Sequence, residues 1–315
     1  MATIKRLTAA NENLSTGRTR EQAQQYWAET HGKLVANNPN LRRYHHYFSV
    51  PEAYEGPLKP TFIGVSMFWR DDPFSVFTPF PAPDFAPVGP DDRQLFDREP
   101  RWPFNGQWAD IFGEEQVVVD GDTRPGMINA LIMVNKLPGL DFPHFFEYWS
   151  KTHGALAARL PGLRRYTQNH AYLPAYSRAG MTHDGWSELW FDDYNAFAAA
   201  ATSPQWAEME ANGATLFAET KGIVVGTEYV QKDESYQPRD YGVLALSPDE
   251  IRSRLVAEGY DSLAADESAP AKIKRAAEHK LLAVWTPWHL VTLDDSRIDA
   301  RPQRPQTQGS YTHPT

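Results

Sequence analysis

The 315-residue chain contains no cysteine. Disulfides, a thiolate nucleophile, iron–sulfur clusters and zinc sites built on sulfur are thereby excluded. It has no apolar run approaching the ~18 residues that span a bilayer as a helix. Its opening stretch, MATIKRLTAANENLSTGRTR, has no apolar h-region of a secretory leader. A basic excess is missing too: 31 Lys and Arg stand against 40 Asp and Glu, for a net charge of −9. A polyanion such as nucleic acid is therefore not an expected partner, and neither is a membrane. The expectation is a soluble, cytoplasmic protein. There is also no GxGxxG, GxxxxGK[ST] or GxSxG pattern, which argues against nucleotide cofactors and an α/β-hydrolase nucleophile.

Aromatic residues are plentiful: 16 Phe, 14 Tyr and 10 Trp. They favour large buried surfaces or an aromatic-lined pocket. A chain of this length suggests two domains or two repeats, and the sequence decides for repeats. YWAETHGKLVANNPNLRRY (residues 26–44) returns 122 positions later as YWSKTHGALAARLPGLRRY (148–166), with twelve of nineteen residues identical. Continued without a gap, the register lays Phe62–Asp71 on Asp184–Asp193.

Each copy reads as strand, helix, strand, strand, helix, strand, the ferredoxin-like order. The first strands are TIKRLTA and MINALIMVNK, the second LRRYHHYFS and LRRYTQNHA. Asp141 is a candidate N-cap with Pro143 just inside the helix, and the copy-one helix starts near Thr19. An Ala-rich helix is predicted from Tyr194 to about Thr220, followed by the strand GTEYVQ. The boundaries are residues 1–120 for repeat one, with a Pro- and Phe-rich insertion at 71–113, and 126–231 for repeat two. Residues 232–315 form a C-terminal extension with a predicted helix SPDEIRSRLVAEG, a strand-like KLLAVWTPWHLVTL and a tail-like end. The insertion reads either as a surface loop or as a pocket wall.

The motif YWxxTHGxL, followed by Pro, by LRRY and by a strand of the type ELWFD, resembles the EthD family of the dimeric α+β barrel superfamily. The resemblance covers residues 1–231 as two tandem copies. It implies an α+β fold in which two ferredoxin-like units set their sheets face to face, here within one chain. It also implies relatives that include lactone isomerases, polyketide cyclases and dehydratases, and cofactor-free monooxygenases. In the lactone-isomerase relatives a His at this motif position and a Tyr thirteen residues later line the site. The matching pairs are His31–Tyr44 and His153–Tyr166.

In such a barrel, strand alternation sorts side chains by face. Trp186, Glu188 and Trp190 are predicted to face the lumen, with Phe62, Gly64, Ser66 and Phe68 opposite them from copy one. Ser187, Leu189 and Phe191, with Val65, Met67 and Trp69, would pack on helices. Glu188 between two tryptophans would be desolvated, the state wanted in a general acid or base. Its other reading is a Glu paired with Arg164 or Arg165. His31 and His153 could transfer protons or simply satisfy a helix end. His46 and His170 share a strand face with Tyr44 and Tyr166 and are candidate substrate contacts, while His45 is expected to be structural or exposed. No recognised ligand spacing supports a metal, and no cofactor is expected. The resulting expectation is a cofactor-free lyase or isomerase acting on a small aromatic or polyketide-like molecule in the lumen. A cofactor-free monooxygenase and a non-catalytic binding protein are the alternatives. Association between chains, if any, is expected through residues 232–315.

Overall fold

A computed structural model describes residues 4–11, 16–38, 41–69, 91, 95, 108–173, 181–218, 222–234, 247–257 and 261–271. Eight strands are formed: β1 (Ile4–Ala10), β2 (Arg43–Ser49), β3 (Gly64–Trp69), β4 (Trp108–Val119), β5 (Ile128–Val134), β6 (Leu163–Ala171), β7 (Gly185–Phe191) and β8 (Gly222–Asp233). They close into one antiparallel barrel in the order β1-β3-β2-β8-β5-β7-β6-β4. Each repeat contributes a ferredoxin-like sheet, β4-β1-β3-β2 or β8-β5-β7-β6. The two sheets join edge to edge at β2–β8 and β4–β6. The second repeat thus stands where a partner subunit would stand in a dimeric α+β barrel.

The fourth strands have twelve residues each because they serve both sheets. β4 pairs with β1 up to Glu114 and with β6 from Gly113 to Val119. β8 does the same with β5 and β2. Strands held between a lumen and a helix layer are buried on both faces, so polar–apolar alternation is lost. All seven residues of β7, GWSELWF, are buried.

The motif helix of each repeat starts on a side-chain cap. Thr19 and Gln22 form a capping box, and Asp141 accepts from the His144 amide. Both helices widen into a π-turn over the repeated motif, at Trp27–His31 and Trp149–His153. There the amide of Gly32 or Gly154 donates to the carbonyl of Trp27 or Trp149, five residues back. The glycine after each histidine has a local reason: a Cβ at Gly32 would lie 2.9 Å from the Trp27 carbonyl oxygen. Periodicity gave no sign of these π-turns, which are frequent at functional sites.

Several expectations are corrected. The Ala-rich helix is two helices, Tyr194–Ala201 and Pro204–Gly213, because Ser203 caps the second and Pro204 opens it. β8 runs well beyond GTEYVQ. In the extension, the helix Pro248–Ala257 forms with a Ser247–Glu250 capping box. The 71–113 segment ends in β4. Its residues 71–90, 92–94 and 96–107 lie outside the described residues, as do the strand-like 280–293 and the tail.

The ungapped register also fails by one residue. Ser66 pairs with His46 and Ser187 with Gln168. His46 and Gln168 are 122 positions apart, but the two serines are 121 apart. Repeat two has therefore lost one residue between its second and third strands. GVSMFW aligns with GWSELW, so Gly64, Ser66 and Trp69 match Gly185, Ser187 and Trp190. A one-residue slip moves every side chain to the other face. Trp69 faces the lumen, with the Lys5 ammonium 5.4 Å from its ring centroid. Ser66 faces the helices and accepts from Trp27 Nε1 at 3.2 Å. Val65 and Met67 accordingly face the lumen, and Phe68 does not.

Lumen packing leaves little tolerance. A Cβ on Gly113 would lie 2.4 Å from a ring carbon of Trp186. Gly113→Ala should therefore destabilise the protein by about 1–3 kcal/mol through overpacking. Urea unfolding followed by Trp fluorescence checks this, and an unchanged midpoint would refute it.

Candidate functional site

A cavity of about 30 Å³ lies between sheet and helices in repeat two. It has room for a water or two. His153, Tyr166 and Ser187 line it, with apolar walls from Leu189, Trp206 and Phe217. Repeat one contributes Leu58. The His153 Nδ1 lies 3.1 Å from Asn212 Oδ1, while Asn212 Nδ2 donates to the Tyr148 hydroxyl at 2.9 Å. Asn212 thus bridges the Tyr148 hydroxyl and the His153 imidazole. Phe217 meets the imidazole edge-on at 5.0 Å. The Tyr166 hydroxyl lies 3.3 Å from Ser187 Oγ and accepts from Gln168 Nε2 at 2.9 Å. Burial pushes the Tyr166 phenol above its ordinary value, so it stays a donor.

Repeat one carries the same layout with other chemistry. The His31 Nδ1 lies 2.8 Å from Asp91 Oδ2, and the Tyr26 hydroxyl donates to Asp91 Oδ1 at 2.5 Å. Tyr44 lies 3.2 Å from Ser66 Oγ. Tyr26–Asp91–His31 corresponds to Tyr148–Asn212–His153, with a carboxylate in place of the amide.

Glu188 is not in this layer. It lies on the lumen face of β7 and is buried. Lys5 Nζ donates to its Oε1 at 3.0 Å, Asn169 Nδ2 at 2.8 Å and Trp186 Nε1 at 3.1 Å. Lys5 also pairs with Glu115. Burial pulls the Lys5 ammonium down, but Glu188 and Glu115 outweigh it and hold it above its ordinary value. Burial likewise pushes the Glu115 carboxyl up, and Lys5 outweighs that to bring it down. The expected arginine partners are committed elsewhere, Arg164 to Asp192 and Arg165 to Asp120. Across the pseudo-twofold, Met67 stands where Glu188 does and Asn129 where Lys5 does, since Lys5 pairs with Trp69 and Asn129 with Trp190.

The structure therefore splits the predicted site residues into two groups. His153 with Tyr166, and His31 with Tyr44, lie in the helix layers. Trp186, Trp190 and Glu188 lie in the lumen as expected. Phe62 sits on the lumen side beside Met133. Phe68, expected in the lumen, stacks on Tyr44 at 4.8 Å instead. His46 and His170 are also in the helix layers: His170 stacks between Phe146 and Trp149 at 4.6 and 4.8 Å. His45, expected to be structural or exposed, is buried in the lumen and bonds Glu228 at 2.7 Å. Asn212, Asp91 and Lys5 were missed. Tyr26 and Tyr148 open the repeated motif, but nothing in the sequence ties them to partners some 60 residues away. Among the described residues, no cluster of three His, Asp or Glu could hold a metal, and no helix is long and apolar enough to cross a membrane.

Residues 137–220 match the family model of the EthD domain. That match falls within the second repeat. Its motif histidine, His153, and the cavity-lining Tyr166, Ser187 and Trp206 fall within that match. Solved structures resemble the chain at low identity. An anthrone oxidase-like protein is 8% identical with a TM-score of 0.49, covering 75% of this chain and 95% of its own. A candidate monooxygenase from Lactobacillus acidophilus NCFM is 7% identical with a TM-score of 0.44, covering 74% and 98%. An EthD-family protein from Bacillus halodurans C-125 is 17% identical with a TM-score of 0.27, covering 32% and 96%. No curated protein matches the sequence.

Two outcomes follow from these environments. Glu188→Gln removes one member of a buried ion network and should lower unfolding free energy by roughly 3 kcal/mol, as read by chemical denaturation. Burial depresses the His170 imidazole to about 3, so the folded state resists a protonation that the unfolded state accepts below about 6.5. Its effect on stability is absent at neutral pH and grows as pH falls from 6.5 toward 3, reaching about 2 kcal/mol at pH 5. NMR of its ring should show no titration between pH 5 and 8. A midpoint near 6 would contradict the burial argument.

Proposed function

We propose that the chain is a cofactor-independent lyase or isomerase for a small aromatic or polyketide-like molecule, with its chemistry in the helix-layer cavity of repeat two. The observation that supports this is the convergence of His153, Tyr166 and Ser187 on one apolar-walled cavity. A few polar groups in an apolar concavity are the usual make-up of a small-molecule site. The cavity as it stands is smaller than an aromatic ring, so binding requires the helices Gly154–Ala157 and Pro204–Gly213 to move apart.

In the tautomer whose Nδ1–H faces Asn212 Oδ1, the His153 imidazole carries a lone pair on Nε2. That nitrogen takes a proton from a carbon next to a carbonyl. The C–H electron pair moves into a C=C bond and the carbonyl pair moves onto oxygen. Tyr166, kept protonated by burial, donates a hydrogen bond to the developing oxyanion. Imidazolium then returns the proton to another carbon, migrating the double bond, or to a departing hydroxyl, releasing water. Asn212 holds the ring and accepts from Nδ1 throughout. Glu188 takes no part, because it lies on the opposite face of the sheet.

The test needs no known product. Hydroxy-aryl ketones in D2O are screened by proton NMR for loss of the C–H beside the carbonyl. His153→Ala should slow exchange by about 100-fold or more, and Tyr166→Phe by a smaller factor. Full exchange in His153→Ala, with melting unchanged, would remove the histidine from the chemistry.

A further inference from the structure

Gln168 is fully buried, and its amide is held on both sides. Its Nε2 donates to the Trp149 carbonyl at 2.9 Å and to the Tyr166 hydroxyl oxygen at 2.9 Å. A carbonyl oxygen only accepts, so the amide can present nothing but its NH2 group there. That carbonyl is the one in the π-turn, where it also accepts from the Gly154 amide. Gln168 Oε1 therefore faces His170 Nε2, at 3.1 Å. Burial depresses the His170 imidazole to about 3 and leaves it neutral at ordinary pH. A neutral ring facing an oxygen that can only accept carries its hydrogen on the facing nitrogen. Ser150, 3.4 Å from the same nitrogen, donates to Gln116 Oε1 and does not compete. Both Nε2 hydrogens of Gln168 are spent, one of them on the Tyr166 oxygen. The phenol hydrogen must point elsewhere, and Ser187 Oγ lies 3.3 Å away. Tyr166 and Ser187 both line the cavity. In repeat one His46 holds the place of Gln168, and neither of its ring nitrogens bonds any described residue.

We propose that Gln168 is a positioning residue for Tyr166: locked between the π-turn carbonyl and His170, it gives one direction to a hydrogen-bond relay that ends in the repeat-two cavity as a donor. The His170 N–H donates to the Gln168 oxygen, and the Gln168 N–H to the Tyr166 oxygen. The Tyr166 O–H donates to the Ser187 oxygen, which leaves the Ser187 hydrogen for the cavity. Each hydrogen stays on its own atom throughout. A ligand oxygen that displaces Ser187 takes the phenol hydrogen directly. Either way this end of the cavity offers hydrogens, so it favours a carbonyl or enolate oxygen over an N–H donor. The role of Tyr166 in turnover rests on the reading of this cavity as the reacting site, but the direction of the relay can be measured with no ligand present.

The test labels the full chain with 15N-histidine and assigns the His170 ring by its loss in His170→Phe. A long-range 1H–15N spectrum at neutral pH should show the ring hydrogen on Nε2. Deuterium exchange into a hydroxy-aryl ketone is then followed in the unaltered chain, Gln168→Met, Tyr166→Phe and the double variant, with melting recorded for each. Gln168→Met should lower kcat about tenfold with KM little changed, because the phenol bond matters most to the developing oxyanion. In the Tyr166→Phe background the same substitution should cost roughly twofold or less, because it acts through that phenol. Three results would overturn the proposal: a hydrogen on Nδ1 of His170, full turnover in Gln168→Met, or a loss in the double variant equal to the product of the two single losses. The spectrum needs no change at Gln168, so it decides the direction of the relay even if Gln168→Met does not fold. Full exchange in His153→Ala would instead defeat the reading of the cavity, and a hydrogen on Nε2 of His170 would still uphold the relay.

Discussion

A barrel has to close, and here closure sets almost everything else. A ferredoxin-like sheet alone leaves β2 and β4, or β6 and β8, as open edges with unpaired backbone groups. Each fourth strand is long enough to finish its own sheet and then cover the edge of the other. Inside the barrel wall strands such as β7 are consequently buried on both faces, and a polar side chain there needs a partner inside the protein. The Lys5, Glu115, Glu188 and Asn169 network in the lumen is one answer to that demand. The Tyr166, Gln168 and Ser187 chain in the helix layer is another.

The fold was legible because the duplicated motif spans a helix and the strand after it, and because caps such as Thr19 and Asp141 announce helix starts. What stayed hidden has identifiable physical causes. A lost residue in a loop leaves no mark on composition, yet it exchanges the two faces of a strand. Phe68 was therefore placed in the lumen and Met67 among the helices. The π-turn leaves no mark either, since its side chains suit an ordinary helix. Of the site, His153 and Tyr166 were readable as a pair from the motif. The groups that hold the imidazoles, Asn212 and Asp91, lie about 60 residues along the chain from the histidines they hold, outside the repeated motif.

Burial carried opposite meanings for different groups. Glu188 was expected to be a desolvated, reactive carboxylate, and it is desolvated. Burial also brought it Lys5, Asn169 and Trp186 as partners, all donating to Oε1. His46 lacks such partners, although its surroundings are just as dry. The same loss of water leaves one group paired and the other without a hydrogen bond.

The pairing of Lys5 with Glu188 has a consequence for how such a chain can change. In a barrel of two identical subunits, any substitution in the lumen occurs twice, related by the twofold axis. A single buried ammonium in the centre would arrive with its mirror mate, and two like charges would face each other across a narrow, dry space. Joining the halves covalently removes that obligation. Here the mate of Lys5 is Asn129 and the mate of Glu188 is Met67, so each half supplies one charge of the pair and neither charge meets a like-charged copy of itself. Fusion has turned a symmetric interior into one where each position can be chosen independently, and the divergence of Asp91 from Asn212 and of His46 from Gln168 uses the same freedom.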